Sequence, residues 1–223
     1  MKRQLKVLIA CEESQALCFA FRSLGHQAFS ADLQKARLYP DWHIQGDVTP
    51  LLMGAADFTT QSGWKYHIPR WDLIICHPPC TYLCKVSSQW LYKEPLTSCV
   101  LDGTIFEGNW ERVEQLKKAR EFFYLCLNAP AAHVAVENPL PMAKAGLPKP
   151  TTFIQPSDFG VKYTKKTLLW LKNLPPILPT IIYPNPKQYV HCSRGKYRSR
   201  TFPQVAEAIA LQWSKYILDE SEL

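Results

Sequence analysis

Short runs of apolar residues, several of them β-branched, recur along the chain and are separated by turn-forming residues. A run of about four to eight such residues, bounded by polar or proline-containing segments, is typical of a strand that is buried on both faces. The pattern predicts five strands, over residues 6–10, 27–31, 71–76, 133–136 and 166–171.

Helical spacing follows the first of these runs. Leu17, Phe21 and Leu24 recur every three or four residues, as the apolar face of a helix requires. Ser14 precedes them as a candidate N-cap, and Gly25 follows them as a candidate stop. The pattern predicts a helix between the first two strands.

Two longer helices are predicted further along. The first spans residues 110–126, and the second begins near Thr201, where Thr201 and Gln204 can form a capping box. Residues 33–47 and 81–106 show no clear periodicity, and we expect them to be loops. The second of these loops follows a candidate site and is long enough to act as a lid.

The alternation of strands and helices predicts an α/β fold with a mainly parallel central sheet flanked by helices. In such a fold the ligand binds across the carboxyl ends of the strands. The 223 residues show no internal change of composition, so we expect a single domain over residues 1–223.

The composition favours a folded protein with an anionic partner. A hydrophobic fraction of 47% excludes disorder, and no apolar run approaches the roughly 20 residues of a membrane span. The net charge of +7 favours nucleic acid as the partner. Eight cysteines without an export signal are expected to be reduced thiols, which places the protein in the cytoplasm.

One predicted strand ends in a way that exposes a thiol. The run over residues 71–76 stops at Pro78-Pro79, and the chain must turn out of the sheet at Cys80 because proline cannot continue a ladder. A thiol at the carboxyl end of a strand is a candidate nucleophile, although an inert buried thiol is the alternative. The spacing of Cys76, Cys80 and Cys84 disfavours a zinc site.

The order of these elements resembles the cytosine-5 DNA methyltransferases, which transfer a methyl group from S-adenosylmethionine. The segment from Asp72 to Cys80 is similar to the fourth motif of that family, an Asp-led apolar strand that ends in Pro-Cys. Val136-Glu137-Asn138 resembles the sixth motif, Glu-Asn-Val, although Pro139 replaces the valine. Residues 45–48 resemble the third motif, Gly-Asp-Ile, and Asp32 lies close to the position of the acidic residue of the second motif.

The later motifs of the family are present in part. Phe159-Gly160-Val161, followed by Lys165 and Lys166, is similar to the eighth motif, whose arginines meet the substrate. Thr167 stands where the second arginine would be. The helix after Arg200 would supply the tenth motif.

The resemblance implies a Rossmann-like S-adenosylmethionine-dependent methyltransferase fold and a covalent mechanism. Cys80 would add to cytosine C6, Glu137, partly protonated through burial or by the substrate, would hydrogen-bond the base, and Asn138 would position the loop. The residues implied to bind the cofactor are Glu12, Glu13, Ser14, Asp32, Asp47, Val48 and Pro79. The residues implied to meet the substrate are Lys165, Lys166, Thr167, Arg198 and Arg200.

Two departures from the family bear on function. The turn after the first strand reads Cys11-Glu12-Glu13-Ser14-Gln15 where the family has Phe-x-Gly-x-Gly, so this turn must take another shape. Residues 172–200 form a reduced basic insertion where the family usually carries a whole target-recognition domain. We therefore expect reduced reading of a target sequence.

The sequence thus predicts methyl transfer to C5 of cytosine in DNA, either on a base flipped out of a duplex or on a single strand. Two alternatives follow from the departures. One is a catalytically degenerate relative that regulates by binding nucleic acid or protein, and the other is an enzyme that acts on a free or modified pyrimidine nucleotide. A small enzyme of this kind would suit a bacterial or phage-infected cell.

Overall fold

The computed structural model describes residues 3–36, 38–189 and 200–220. Seven strands form the central sheet: β1 (Lys6–Ala10), β2 (Gln27–Asp32), β3 (His43–Gln45), β4 (Leu73–Cys76), β5 (His133–Asn138), β6 (Thr152–Ile154) and β7 (Thr167–Lys172). The α-helices of the described residues are α1 (Ala16–Ser23), α2 (Thr49–Leu52), α3 (Trp110–Leu127) and α4 (Pro203–Glu220).

Smaller elements lie between these. The short 3-10 helices span Pro40–Trp42, Lys85–Tyr92, Ala143–Ala145 and Pro156–Asp158. Three pairs of short strands lie outside the central sheet: Asp57–Thr59 with Lys65–His67, Thr97–Leu101 with Thr104–Gly108, and Tyr163–Thr164 with Lys187–Gln188.

The strands of the central sheet follow the order β3-β2-β1-β4-β5-β7-β6. Strands β1 to β5 run parallel, β7 is antiparallel to β5, and β6 is antiparallel to β7. The order reverses between β1 and β4, and a reversal of this kind is where open α/β sheets bind their ligands. The predicted α/β class, with a mainly parallel central sheet flanked by helices, is confirmed.

Helices cover both faces of the sheet. On β1, Leu8 and Ala10 face a core closed by α2 and α3, whereas Val7 and Ile9 face a core closed by α1 and α4. All four side chains are fully buried. Burial on both faces explains why the strands read as continuous apolar runs instead of alternating with polar residues.

The start of α1 differs from the prediction that Ser14 caps it. The helix begins at Ala16, and its N-cap is Gln15, whose side chain makes no capping bond. The carboxylate of Glu12 takes that role instead, because it accepts hydrogen bonds from the backbone N–H groups of Leu17 at 2.7 Å and Cys18 at 3.2 Å. The Glu12 carboxyl group therefore lies at the positive end of the helix dipole.

Two segments predicted as loops contain regular structure. Residues 33–47 include β3, a short edge strand that pairs with the end of β2. Residues 81–106 include a 3-10 helix and most of the hairpin that Asp102-Gly103 closes, with φ angles of 51° and 77°. Asp-Gly is a hairpin signal, but the irregular pattern of the flanking residues hides it in the sequence.

The remaining strand boundaries differ by a few residues from those predicted. Strand β4 begins at Leu73, two residues later than expected, and β5 extends to Asn138. Strand β6 was outside the prediction because residues 152–154 are too few to show a period. Among the described residues, no helix is both long and apolar enough to cross a membrane.

Trp213 on α4 offers a test of the packing. Its side chain has no exposed surface, and its Nε1 donates a hydrogen bond to the carbonyl of Pro175 at 3.0 Å. We expect Trp213→Ala to lower the free energy of unfolding by about 3–5 kcal/mol in urea denaturation. Leu211→Ala, at a position on the same helix that is 59% exposed, should cost less than about 0.5 kcal/mol. Equal losses in the two variants would contradict the packing of α4.

Candidate active site

The carboxyl ends of the parallel strands bring most of the predicted site residues to one edge of the sheet. Glu12 follows β1, Asp32 ends β2 and Asp47 follows β3. The Pro78-Pro79-Cys80 segment follows β4, and Glu137-Asn138 ends β5. The edge therefore carries two groups of side chains, one on each side of the switch point between β1 and β4.

Asn138 connects the thiol segment to the neighbouring strand. Its side chain is 1% exposed, and its Nδ2 donates a hydrogen bond to the carbonyl oxygen of Pro78 at 2.8 Å. Because proline has no backbone N–H, Pro78 cannot donate a hydrogen bond to a neighbouring strand. The bond that its carbonyl accepts from Asn138 holds the segment instead. Cys80 is half-buried beyond it, and Pro79 is exposed.

Cys80 has a second thiol beside it. The chain turns after Cys80, whose carbonyl accepts hydrogen bonds from the backbone N–H groups of Leu83 and Cys84, each at 3.0 Å. Contact with Cys84, together with burial and the charge of Glu137, raises the pKa of Cys80. The same contact, together with the Ser87 hydroxyl at 3.4 Å, lowers the pKa of Cys84 to about 5. The contact therefore favours ionisation of Cys84 over ionisation of Cys80.

His77 is a site residue that the sequence analysis missed. Its Nδ1 lies 2.6 Å from Oε2 of Glu137, and the two side chains are 14% and 20% exposed. The parallel register pairs Cys76 with Val136, which makes the next residue on each strand a neighbour of the other. Two features of the sequence could have identified it. A histidine comes directly after one predicted strand, and a glutamate comes directly after the next predicted strand.

The His77–Glu137 bond decides the charge of both groups. Burial lowers the pKa of His77, but the hydrogen bond to Glu137 and the charges of Glu137 and Glu12 outweigh burial and raise it above its ordinary value. Burial raises the pKa of Glu137, but the bond to His77 and the charges of His77 and Lys165 outweigh it and lower that pKa. Burial alone would leave Glu137 partly protonated, as the sequence predicts. The structure instead favours an ionised carboxylate.

Lys165 and Thr167 lie beside Glu137. The Thr167 side chain is buried, and its hydroxyl donates a hydrogen bond to the carbonyl of Lys165 at 3.2 Å. The ammonium of Lys165 donates to the carbonyl of Arg200 at 3.2 Å. Together with His77 and Glu137, Lys165 and Thr167 line a narrow cavity whose other walls are mainly apolar side chains of α1, α4 and the sheet.

Asp32 and Asp47 form the second group, across the switch point. The ends of their strands are adjacent, because the N–H of Gly46 donates to the carbonyl of Asp32 at 3.0 Å. Each carboxylate accepts a backbone hydrogen bond through Oδ1, from Gln34 at 2.8 Å and from Thr49 at 2.9 Å. Asp32 is half-buried and Asp47 is exposed, so both can meet a ligand.

The thiol of Cys11 and the side chain of Val48 lie at the base of this second group. Burial raises the pKa of Cys11, and the charges of Cys126, Asp32 and Asp47 add to that rise. The backbone N–H of Glu12 donates to the carbonyl of Ala31 at 3.1 Å, so the turn after β1 lies beside the end of β2. Val48 is 5% exposed and belongs to the core beneath the start of α2.

The glycine-free turn uses the backbone conformation that glycine ordinarily supplies. Cys11 and Gln15 have φ angles of 61° and 59°. A left-handed conformation costs a residue with a side chain roughly 1–3 kcal/mol, so surrounding contacts must hold it. The Gln15 amide supplies such contacts, because its Nε2 donates to Ser30 Oγ at 3.2 Å and to the Tyr39 carbonyl at 3.0 Å, while its Oε1 accepts from the Tyr39 N–H at 3.0 Å.

The other predicted cofactor residues of this turn have different surroundings. The carboxylate of Glu12 is 4% exposed and is engaged by the N-terminus of α1. Glu13 forms an ion pair with Arg200, with 3.7 Å between Oε2 and Nη2. Ser14 lines a second cavity of about 480 Å³ beside α1, where Arg200 and Tyr39 are also found. Asp32 and Asp47 are not among the residues that line it.

The predicted substrate residues are only partly described. Lys166 is exposed, and its ammonium lies 4.2 Å from the ring centre of Phe153. Arg198 lies outside the described residues, as do residues 190–199 of the predicted basic insertion. The seven described cysteines are all free thiols.

Glu12 provides a pH-dependent test of the site. Burial raises the pKa of Glu12 to about 7, although the charge of His77 and the N–H groups of α1 oppose the rise. A group whose pKa is higher in the folded state stabilises the fold below its unfolded pKa, and this contribution is lost as the pH rises through the folded value. Between pH 5 and pH 8 we expect Glu12 to lower the wild-type free energy of unfolding by roughly 3 kcal/mol, and Glu12→Gln to lack this contribution.

The measurement is urea denaturation at several pH values. Glu121→Gln, at an exposed position of α3, is the matched control and should leave the pH dependence unchanged. His77 has a raised pKa and contributes a loss in the same direction in every variant. A pH dependence that is equal in Glu12→Gln and the wild type would contradict the burial of the Glu12 charge.

Comparison with known proteins leaves the family open. No protein-family model matches the chain, and no curated protein matches it. Among solved structures, the chain is similar to an Escherichia coli protein described as a DNA modification methyltransferase encoded within a prophage, with 14% identity and a TM-score of 0.46. The match covers 81% of this chain and 52% of the other, so this chain spans about half the length of that structure. A similarity this low supports no inference, and the assignment of the fold rests on the strand order.

Proposed function

We propose that this chain is an S-adenosylmethionine-dependent methyltransferase that acts on C5 of cytosine in DNA, with Cys80 as the nucleophile. The observation that carries the proposal is the hydrogen bond from Asn138 to the carbonyl of Pro78. It holds the Cys80 segment against the end of β5, where Glu137 lies. A thiol and a carboxylate at the ends of adjacent strands, next to the switch point, are the groups that covalent activation of a pyrimidine ring needs.

The acidic group at the ends of β2 and β3 fits the adenosine part of the cofactor. A carboxylate at the end of the second strand suits a ribose hydroxyl, and Asp32 uses only one oxygen, Oδ1, for its hydrogen bond to Gln34. Asp47 would accept from the adenine amino group, and Val48 and Pro79 would supply apolar contact. When bound, S-adenosylmethionine would supply an electrophilic methyl group.

Two residues of the turn after β1 would act less directly than the sequence implies. Glu12 would shape the turn by holding the first N–H groups of α1, since its carboxylate is buried and engaged there. Glu13 would face the cofactor only together with its partner Arg200. Ser14 remains a candidate contact because it lines the larger cavity.

Attack by Cys80 would require its proton to move to the neighbouring Cys84. The contact raises the pKa of Cys80 and lowers that of Cys84, which makes Cys84 the more readily ionised of the two. The S–H bond of Cys80 would break and an S–H bond would form on Cys84, which leaves Cys80 as the thiolate. That thiolate would add to C6 of the pyrimidine and make C5 nucleophilic towards a methyl group.

The residues around Glu137 would hold the base. Glu137 would contact ring N3 and the exocyclic amine, where charge develops as the C6–S bond forms. Lys165 matches one of the arginines of the family and lies close enough to Glu137 to lower its pKa. Thr167, in the place of the other arginine, would contribute a hydroxyl without a charge.

DNA as the substrate is supported by charge and by chemistry. The net charge of +7 favours phosphate binding, and Lys166 is an exposed cation near the site. Since C5 and C6 are inaccessible in a stacked duplex, the base must be flipped out or lie in a single strand. A free pyrimidine nucleotide is the second candidate substrate, and the short insertion over residues 172–200 favours it.

Labelled methyl transfer tests the proposal. The protein is incubated with tritium-labelled S-adenosylmethionine and, in turn, with duplex DNA, single-stranded DNA and deoxycytidine monophosphate. We expect label to enter DNA and to resist acid, as a carbon-bound methyl group does. Cys80→Ser should abolish transfer because a hydroxyl at this position is a far weaker nucleophile than a thiolate.

Cys84→Ser is the matched variant on the same turn. It removes the thiol that contacts Cys80 but keeps the nucleophile, so we expect transfer to persist. Transfer that survives Cys80→Ser would contradict the role of Cys80. Label that enters only deoxycytidine monophosphate would favour a free nucleotide as the substrate. No transfer to any substrate would favour a catalytically degenerate protein that binds nucleic acid or protein.

A further inference from the structure

His77 is fixed at the switch point by contacts on two sides. Its backbone N–H donates to the carbonyl of Ala10 at 2.9 Å, which continues the ladder between β4 and β1. Its Nδ1 lies 2.6 Å from Oε2 of Glu137, across the gap to β5. A bond this short between two side chains that are mostly buried restricts both of them. Oε1 is the Glu137 oxygen that the bond leaves for another contact.

Each element packed around His77 contributes a titratable or charged group. Glu12 approaches from the turn after β1, Glu137 from β5, and Lys165 from the segment before β7. His77 and Glu137 also line the same narrow cavity, together with Lys165 and Thr167. The imidazole is therefore bonded to one carboxylate, is influenced by the charge of a second, and shares the wall of this cavity with Glu137.

An ionised Glu137 poses a chemical problem for binding cytosine. Ring N3 of cytosine accepts a hydrogen bond and its exocyclic amine donates one, so the matching side chain must present one donor and one acceptor. A carboxylate presents acceptors only. A second proton must therefore be available beside Glu137 when the base binds.

We propose that His77 is a positioning residue that orients Glu137 and stores this second proton. The inference rests on the proposed function. In the free protein the pair holds two protons, one on Nδ1 in the bond to Oε2 and one on Nε2. When a base enters, the Nδ1–H bond breaks and an O–H bond forms on Oε2, so His77 becomes neutral and keeps its Nε2 proton, while Oε1 stays an acceptor for the exocyclic amine. As the C6–S bond forms, the Oε2 proton passes to N3, and it returns when the C6–S bond breaks.

Two substitutions at His77 separate orientation from proton storage. Asparagine can place its amide nitrogen near the position of Nδ1 and donate to Oε2, but it has no titrating proton. Alanine removes both properties. We expect His77→Ala to lower kcat by on the order of a hundredfold, whereas His77→Asn should remain within about tenfold of the wild type near pH 6.

The dependence of activity on pH distinguishes proton storage by His77 from a merely structural role, which would leave that dependence unchanged. Wild-type activity should fall as the pH rises through the raised pKa of His77, because the pair then keeps only the proton in the Nδ1–Oε2 bond. In His77→Asn only Glu137 can hold the second proton, so the fall should move to lower pH. An unchanged profile in His77→Asn, or full activity in His77→Ala, would overturn the role of His77.

Nuclear magnetic resonance titration of the histidine rings tests the pair without any turnover. We expect the titration midpoint of His77 to drop in Glu137→Gln, while the signals of the buried His43 on β3 stay unchanged as an internal control. A midpoint that does not move would overturn the pairing. Wild-type protein that transfers no methyl group would overturn the proposed function and the role of His77 within it, whereas active wild type with an equally active His77→Ala would overturn the role of His77 alone.

Discussion

The parallel pairing of β4 with β5 is the constraint on which the candidate site depends. The register sets Cys76, the last residue of β4, beside Val136, and β5 continues for two more residues to Asn138. Two side-chain bonds join the segments that follow, from His77 to Glu137 and from Asn138 to the carbonyl of Pro78. The first sets the charge of the carboxylate, and the second holds the turn that presents the thiol. A slip of one residue in this register would break both bonds and turn every side chain of the strand to the other face.

The same edge of the sheet is stabilised from the α1 side. Glu12 is buried at the N-terminus of α1, and its charge interacts with that of His77, so it is coupled to the packing of the helix and to the ionisation of the site. Gln15 holds the left-handed turn through its bonds to Ser30 and Tyr39. Two residues of this turn have the left-handed conformation, which glycine adopts without strain. Here a network of hydrogen bonds holds residues with side chains in that conformation. Strain of this kind is common where a ligand must approach the backbone closely.

Strand positions and the residues at their carboxyl ends could be predicted from the sequence because burial on both faces leaves continuous apolar runs. Cys80 and Asn138 were visible for this reason, each directly beyond such a run. His77 was not visible, because its importance comes from a neighbouring strand 60 residues away in the chain. The prediction that Ser14 caps α1 was wrong for a related reason. Ser14 is of the preferred residue type, but the Glu12 carboxylate accepts the hydrogen bond from the first turn of the helix.

The pairing of Cys80 with Cys84 also could not be predicted, since it depends on the turn that follows two prolines. It makes the identity of the attacking sulfur the central question of the proposed chemistry. The most direct measurement is trapping with DNA that contains 5-fluorodeoxycytidine, in the presence of S-adenosylmethionine, followed by proteolysis and mass spectrometry. The proposed mechanism predicts a covalent adduct on the peptide that carries Cys80, with the nucleotide attached to that sulfur. Attachment to Cys84, or recovery of the protein without any adduct, would contradict it.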